Sequence, residues 1–176
     1  MRTHLSRAIG LAMAVSVVFL MGSMFLPASI TAPSARTTAT DFTLEDSTGA
    51  AIKLSDFKGK VVVLDFWATW CHGCKIEIPW YMEFQKKYSD RGLSVIGVSM
   101  DDDGWKSVRP FLTENRLNYP VVIGNANLAK QFGVEGLPVT LLIDRHGKIA
   151  EVQAGMVDKS SFEIDIQSLL RENNGK

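Results

Sequence analysis

The hydrophobic residues fall into three successive patterns: one long apolar run, two short alternating stretches, and then compact apolar runs that trade places with helically spaced residues. The first pattern, Ala8 to Leu26, lies behind Arg2 and Arg7 and carries no charge. It approaches the roughly 20 residues a spanning helix needs and exceeds the roughly 7 to 15 of a cleaved signal core, so residues 1–30 read as a signal-anchor in preference to a signal peptide. Arg2 and Arg7 then stay on the cytoplasmic side and the rest of the chain is exported. Thr31 to Thr40, rich in Ser, Thr, Ala and Pro and without periodicity, reads as a flexible tether, with one domain over residues 41–176.

Within that domain Phe42 and Leu44, then Ile52 and Leu54, alternate with polar neighbours around the turn residues Asp46 to Gly49, which predicts a hairpin covering a sheet edge. Val61 to Phe66 and Leu93 to Ser99 are nearly continuous apolar runs, as expected of strands buried on both faces in parallel pairing. Between them a helix is predicted from Cys71 to about Arg91, with Trp80, Phe84 and Tyr88 as its apolar stripe and Pro79 as a kink. Asp101 to Asp103 is expected to cap a helix over Trp105 to Asn115, bent at Pro110. A short strand at Tyr119 to Ile123 and a short helix at Asn127 to Phe132 follow. Val139 to Asp144 and Ile149 to Gln153 form a hairpin, and Lys159 to Arg171 a closing amphipathic helix. The order is that of an α/β fold with a central mixed sheet.

Charge narrows the function classes. Nineteen basic residues balance nineteen acidic ones across 176 residues, and Arg2, Arg7 and Arg36 all precede the first acid, so the folded part is mildly acidic. No surface of this kind grips a phosphate backbone by counterion release, which argues against nucleic-acid binding. Nothing in the pattern indicates association, and a monomer is the default.

The only two cysteines stand as Cys71-His72-Gly73-Cys74. A structural zinc site wants four ligands, and His4, His72 and His146 are scattered, so no metal is expected. Lys75 stands where a c-type haem site requires His. An inert disulfide closing so short a loop contributes little stability. A pair that follows a buried strand and opens a helix is different, because free N–H groups and the positive helix end stabilise a thiolate at Cys71. The pair therefore reads as redox-active. His72 adds a titratable group beside it, the alternative being an exposed histidine without a role.

The segment Asp65-Phe66-Trp67-Ala68-Thr69-Trp70-Cys71-His72-Gly73-Cys74-Lys75 resembles the active-site signature of thioredoxins, and with Glu77 and Pro79 it resembles the membrane-anchored, extracytoplasmic thiol-disulfide reductases of the TlpA/ResA type. The likeness spans about Asp41 to Arg171 and includes Gly136-Leu137-Pro138-Val139, similar to the family's cis-proline loop. It implies a thioredoxin-like three-layer fold with helices on both faces of the sheet, an N-terminal hairpin extension and a central helix-containing insert. It also implies that Cys71 attacks and Cys74 resolves, with no cofactor. Asp65 matches the thioredoxin buried acid, whose raised pKa suits it to take the proton of Cys74. Glu77 is a candidate second base, or else a solvated helix glutamate. Trp70, His72, Gly73, Leu137 and Pro138 would meet the substrate, Trp67 belonging to the core. Many relatives carry Pro where this chain has Gly73. The implied partners are protein disulfide or thiol clients, apocytochrome c among them, and a membrane electron donor, reached from the periplasmic side of the inner membrane.

Two alternatives stay beside this one. The stretch Trp105 to Gly133 also resembles the insert of peroxiredoxins, but Ala68 and Leu64 stand where a peroxidatic cysteine requires Thr and Pro. A non-catalytic module holding Cu(I) or a client during cytochrome assembly would use the same soft sulfurs.

Overall fold

The computed structural model describes residues 30–172, so the expected export segment, Ala8 to Leu26, lies outside the described residues. The strands are β1 (Thr37–Thr38), β2 (Thr43–Glu45), β3 (Ala51–Lys53), β4 (Val61–Trp67), β5 (Leu93–Ser99), β6 (Val121–Ile123), β7 (Val139–Ile143) and β8 (Lys148–Ala154). The α-helices are α1 (His72–Tyr88), α2 (Trp105–Asn115), α3 (Ala126–Gln131) and α4 (Lys159–Arg171). Six strands form one mixed sheet in the order β1-β8-β7-β4-β5-β6. β4, β5 and β6 run parallel, while β7, β8 and β1 pair antiparallel. The β2–β3 hairpin stands apart and meets the β6 edge through a bridge between Asp46 and Val122, as its alternating pattern predicts.

All seven residues of β4 are buried because the strand is central and covered on both sides. Val61, Val63 and Trp67 join the core beneath α1 and α4, whereas Val62, Leu64 and Phe66 join a second core with Phe42, Leu54, Leu128 and Phe132. Each such aliphatic or aromatic side chain contributes roughly 1.5–3 kcal/mol on full burial. The alternation also turns Asp65 toward the α1 side, between Val63 and Trp67.

Three expectations change. The segment 31–40 is not a loose tether: β1 extends the sheet at β8, Thr31 N–H donates to Ala150 O, and Ala39 N–H donates to Gly147 O. The buried Arg36 guanidinium donates to Asp144 at 3.0 Å and to both carboxylate oxygens of Glu172 at 2.7 Å, a reason for order that local composition does not carry. The buried stripe of α1 is Cys74, Glu77, Ile78, Tyr81, Phe84 and Tyr88, so Tyr81 takes the place expected of the half-buried Trp80. Helix α1 ends at Tyr88 and a 3-10 turn completes the stretch to Arg91. Finally, α2 starts from Gly104 without a side-chain cap, because Asp101 faces elsewhere.

Candidate active site

Cys71 and Cys74 are joined by a disulfide, with Cα atoms 5.4 Å apart. Strand β4 ends at Trp67, and Cys71 is the N-cap of α1, its sulfur accepting the Cys74 N–H at 3.2 Å. The turn between is held from behind by Asp101, which accepts Thr69 N–H at 2.9 Å and the Thr69 hydroxyl, while Ser99 Oγ donates to it at 2.8 Å. The acid expected to cap α2 thus fixes the approach to Cys71. Its place at the end of a strand parallel to β4 was the available signal.

Both sulfur-bearing residues are buried, but Trp70 beside them is 66% exposed and His72 is exposed. Opposite stands the Leu137–Pro138 bond, which is cis. A Cβ built on Gly73 would lie 3.5 Å from Pro138 Cδ, so the proline loop and the dithiol turn touch, and half-buried Leu137 completes that wall.

Between the sheet and α1 lies a buried polar group. Asp65 is 1% exposed; one of its oxygens lies 3.5 Å from Thr140 Oγ1 and the other has no partner among the described residues. Thr140 is its register partner on β7 and sits 2.8 Å from the Tyr81 hydroxyl. Burial, and then the like charge of Glu77, hold the Asp65 carboxyl well above the usual carboxylate range. Glu77, also 1% exposed, is not a solvated helix glutamate: one oxygen accepts Val157 N–H at 2.6 Å and the other is unpartnered. Burial raises it to about 7 against that opposing hydrogen bond. The Tyr119 hydroxyl and the Trp67 indole N–H, both buried without partners, adjoin this group where Gly97 leaves room beside Asp65. Tyr81, Thr140 and Tyr119 were not singled out from sequence, and Asp101 was read only as a cap. Only Thr140, a polar residue inside an apolar strand, offered a local cue.

A carboxyl raised above its unfolded value of about 4.3 binds more protons in the fold than in the unfolded chain. Its stabilising contribution is complete below about pH 4 and is lost as the pH rises toward 7. The oxidised protein is therefore expected to need more urea for unfolding at pH 5 than at pH 8. Glu77→Gln, which keeps an oxygen for Val157, should narrow that difference, and added Asp65→Asn should narrow it again. Buried Glu151, raised in the same direction, supplies the remainder. Equal midpoints at the two pH values in the parent protein would contradict uncompensated burial of these acids.

A disulfide at a strand-to-helix junction, faced by a cis-proline and underlain by a buried acid, defines a thioredoxin-like thiol-disulfide oxidoreductase. The chain belongs to the AhpC/TSA family, whose model matches residues 35–152. It is 36% identical over 126 residues to the thiol-disulfide oxidoreductase ResA of Bacillus thuringiensis, covering 71% of this chain and 72% of that protein. Among solved structures it is similar to a protein from Chlorobium tepidum assigned as the thiol:disulfide interchange protein DsbE, with 36% identity, a TM-score of 0.73 and coverage of 77% of this chain and 96% of the other. It is also similar to the exposed lipoprotein thioredoxin Etrx1 of Streptococcus pneumoniae, at 28% identity and a TM-score of 0.66, over 74% of this chain and all of that one. Protein thiols are accordingly its class of client.

Proposed function

We propose that this chain is an extracytoplasmic reductase of protein disulfides, tied to the inner membrane by its N-terminal segment and recharged by a membrane dithiol donor. The Cys71 thiolate attacks one sulfur of a client disulfide; that bond breaks, the first client thiolate leaves, and Cys71 holds the mixed disulfide. Cys74 then gives its proton to Asp65, with Glu77 as the second acceptor, and attacks Cys71 Sγ. The second client sulfur departs as thiolate and takes up a proton. Two electrons have passed to the client, and the Cys71–Cys74 disulfide is the enzyme's product state. Apocytochrome thiols oxidised after export are the client class proposed. The ResA and Etrx1 names, an oxidoreductase and an exposed lipoprotein, support that setting. The uncharged apolar run Ala8 to Leu26 behind Arg2 and Arg7 supports an N-terminal anchor; among the described residues no helix is long and apolar enough to cross a membrane.

The observation that carries the reductase direction is the pair of uncompensated buried carboxyls behind the sulfurs. Ionised carboxyls beside Cys74 disfavour a thiolate there, so the reduced pair gains less stability than in an oxidant such as DsbA, where the reduced form is strongly stabilised. Equilibration with glutathione buffers tests this. The expected midpoint lies below about −230 mV, on the reducing side of glutaredoxins, and a value near about −120 mV would reverse the assigned direction.

A further inference from the structure

Met156 lies in the loop between β8 and α4, far in sequence from the cysteines, yet it packs on the turn that carries them. A Cβ added at Gly73 would stand 2.9 Å from Met156 Cγ, closer than real Cβ contacts come, and 3.1 Å from its sulfur, so the thioether would have to shift. Gly73 is thus the recess that admits the thioether. The side chain is nevertheless 55% exposed, so its outer surface faces solvent beside the dithiol. Its backbone is pinned on both sides, by Val157 N–H on Glu77 at 2.6 Å and by Gly155 N–H on Pro138 O at 2.9 Å. The loop is therefore held in place while the unbranched side chain retains its own rotations.

Met156 directly follows Gly155, which lines a cleft beside the cis-proline. Trp70 at 66% and Val152 at 52% are also exposed, and Val152 lines a cleft of about 260 Å³ with Leu137, Pro138, Ala154 and Gly155. Among the described residues Glu135 is the only charged one along that cleft. A strand of client passing the cis-proline would therefore present its side chains to a mainly apolar cleft, with the adjustable thioether of Met156 one residue beyond its Gly155 rim.

We propose that Met156, seated in the recess of Gly73, is a specificity-determining residue that selects clients whose disulfide is flanked by a large apolar side chain. This rests on the protein-disulfide reductase reading above. The pre-reduced full chain is to be mixed, in single turnover, with two peptides that each contain one disulfide, flanked by Leu in one and by Glu in the other. The parent protein is expected to prefer the Leu peptide about tenfold in kcat/KM, mainly through KM. Met156→Ala should cut that preference at least about fivefold; Met156→Leu should restore it and Met156→Gln should not, because area removed from water, not length, is what counts. Equal kcat/KM for the two peptides in the parent protein would overturn the inference. So would an unchanged preference in Met156→Ala, or a Gln variant as selective as the Leu variant. Reduction of neither peptide would instead strike the reductase reading itself, and Met156 with it.

Discussion

Cys71→Ser removes disulfide reduction to about a thousandth of the parent rate or less, whereas Cys74→Ser keeps the first attack and halts at the mixed disulfide. The two sulfurs differ in setting although both are buried. Cys71 caps α1, where its sulfur accepts the Cys74 N–H at 3.2 Å and faces the unpaired amides of the first turn. Cys74 is one turn deeper, on the buried stripe with Glu77, whose charge acts on Asp65. The helix end favours a thiolate at the first position, next in sequence to the exposed Trp70. At the second it needs a nearby proton acceptor and has one intramolecular target. Stopped-flow release of client thiols reads both variants: no release from Cys71→Ser, and one thiol per enzyme from Cys74→Ser. Two thiols per enzyme from Cys74→Ser would remove Cys74 from the resolving step.

Arg36→Ala is expected to destabilise the fold by about 3 kcal/mol, since removing one member of a buried ion pair leaves charge without compensation. Arg36 joins three places: β1 through its neighbours, the β7–β8 turn through Asp144, and the end of α4 through Glu172. Asp144 retains the N–H groups of His146 and Lys148, which keeps the loss from being larger. With a slope of about 1.5 kcal/mol per molar urea, the midpoint should fall by about 2 M. Arg36→Lys should recover only part of it, because an ammonium cannot match the paired contacts on Glu172. A midpoint within about 0.3 M of the parent's would reduce the contact to an incidental one.

The two kinds of residue that fixed function were not equally readable. The runs Val61 to Phe66 and Leu93 to Ser99 announced buried strands because burial on both faces leaves no polar alternation to confuse the pattern. Cys71 and Cys74 were readable because their spacing and position already determine much of their chemistry. Glu77 was half legible: three residues after Cys74 and three before Trp80, it falls on the apolar side of the helix under either phase, but a glutamate by residue type belongs in solvent. Arg36 could not be read, since its partners Asp144 and Glu172 stand 108 and 136 residues away. Asp101 misled because an acid before a helix suggests a cap, and only the parallel pairing of β4 with β5 brings it to Thr69. Met156 gave no signal at all; its relevance exists only where a missing Cβ at Gly73 lets two distant loops touch.

The most direct measurement uses the Cys74→Ser protein, reduced, mixed with a disulfide-bonded peptide, quenched in acid and mapped by mass spectrometry. One peptide should be attached per chain, through a disulfide to Cys71, and the adduct should disappear on adding dithiothreitol. If no adduct forms although the protein is folded and its thiol is free, Cys71 is not the sulfur that meets client disulfides.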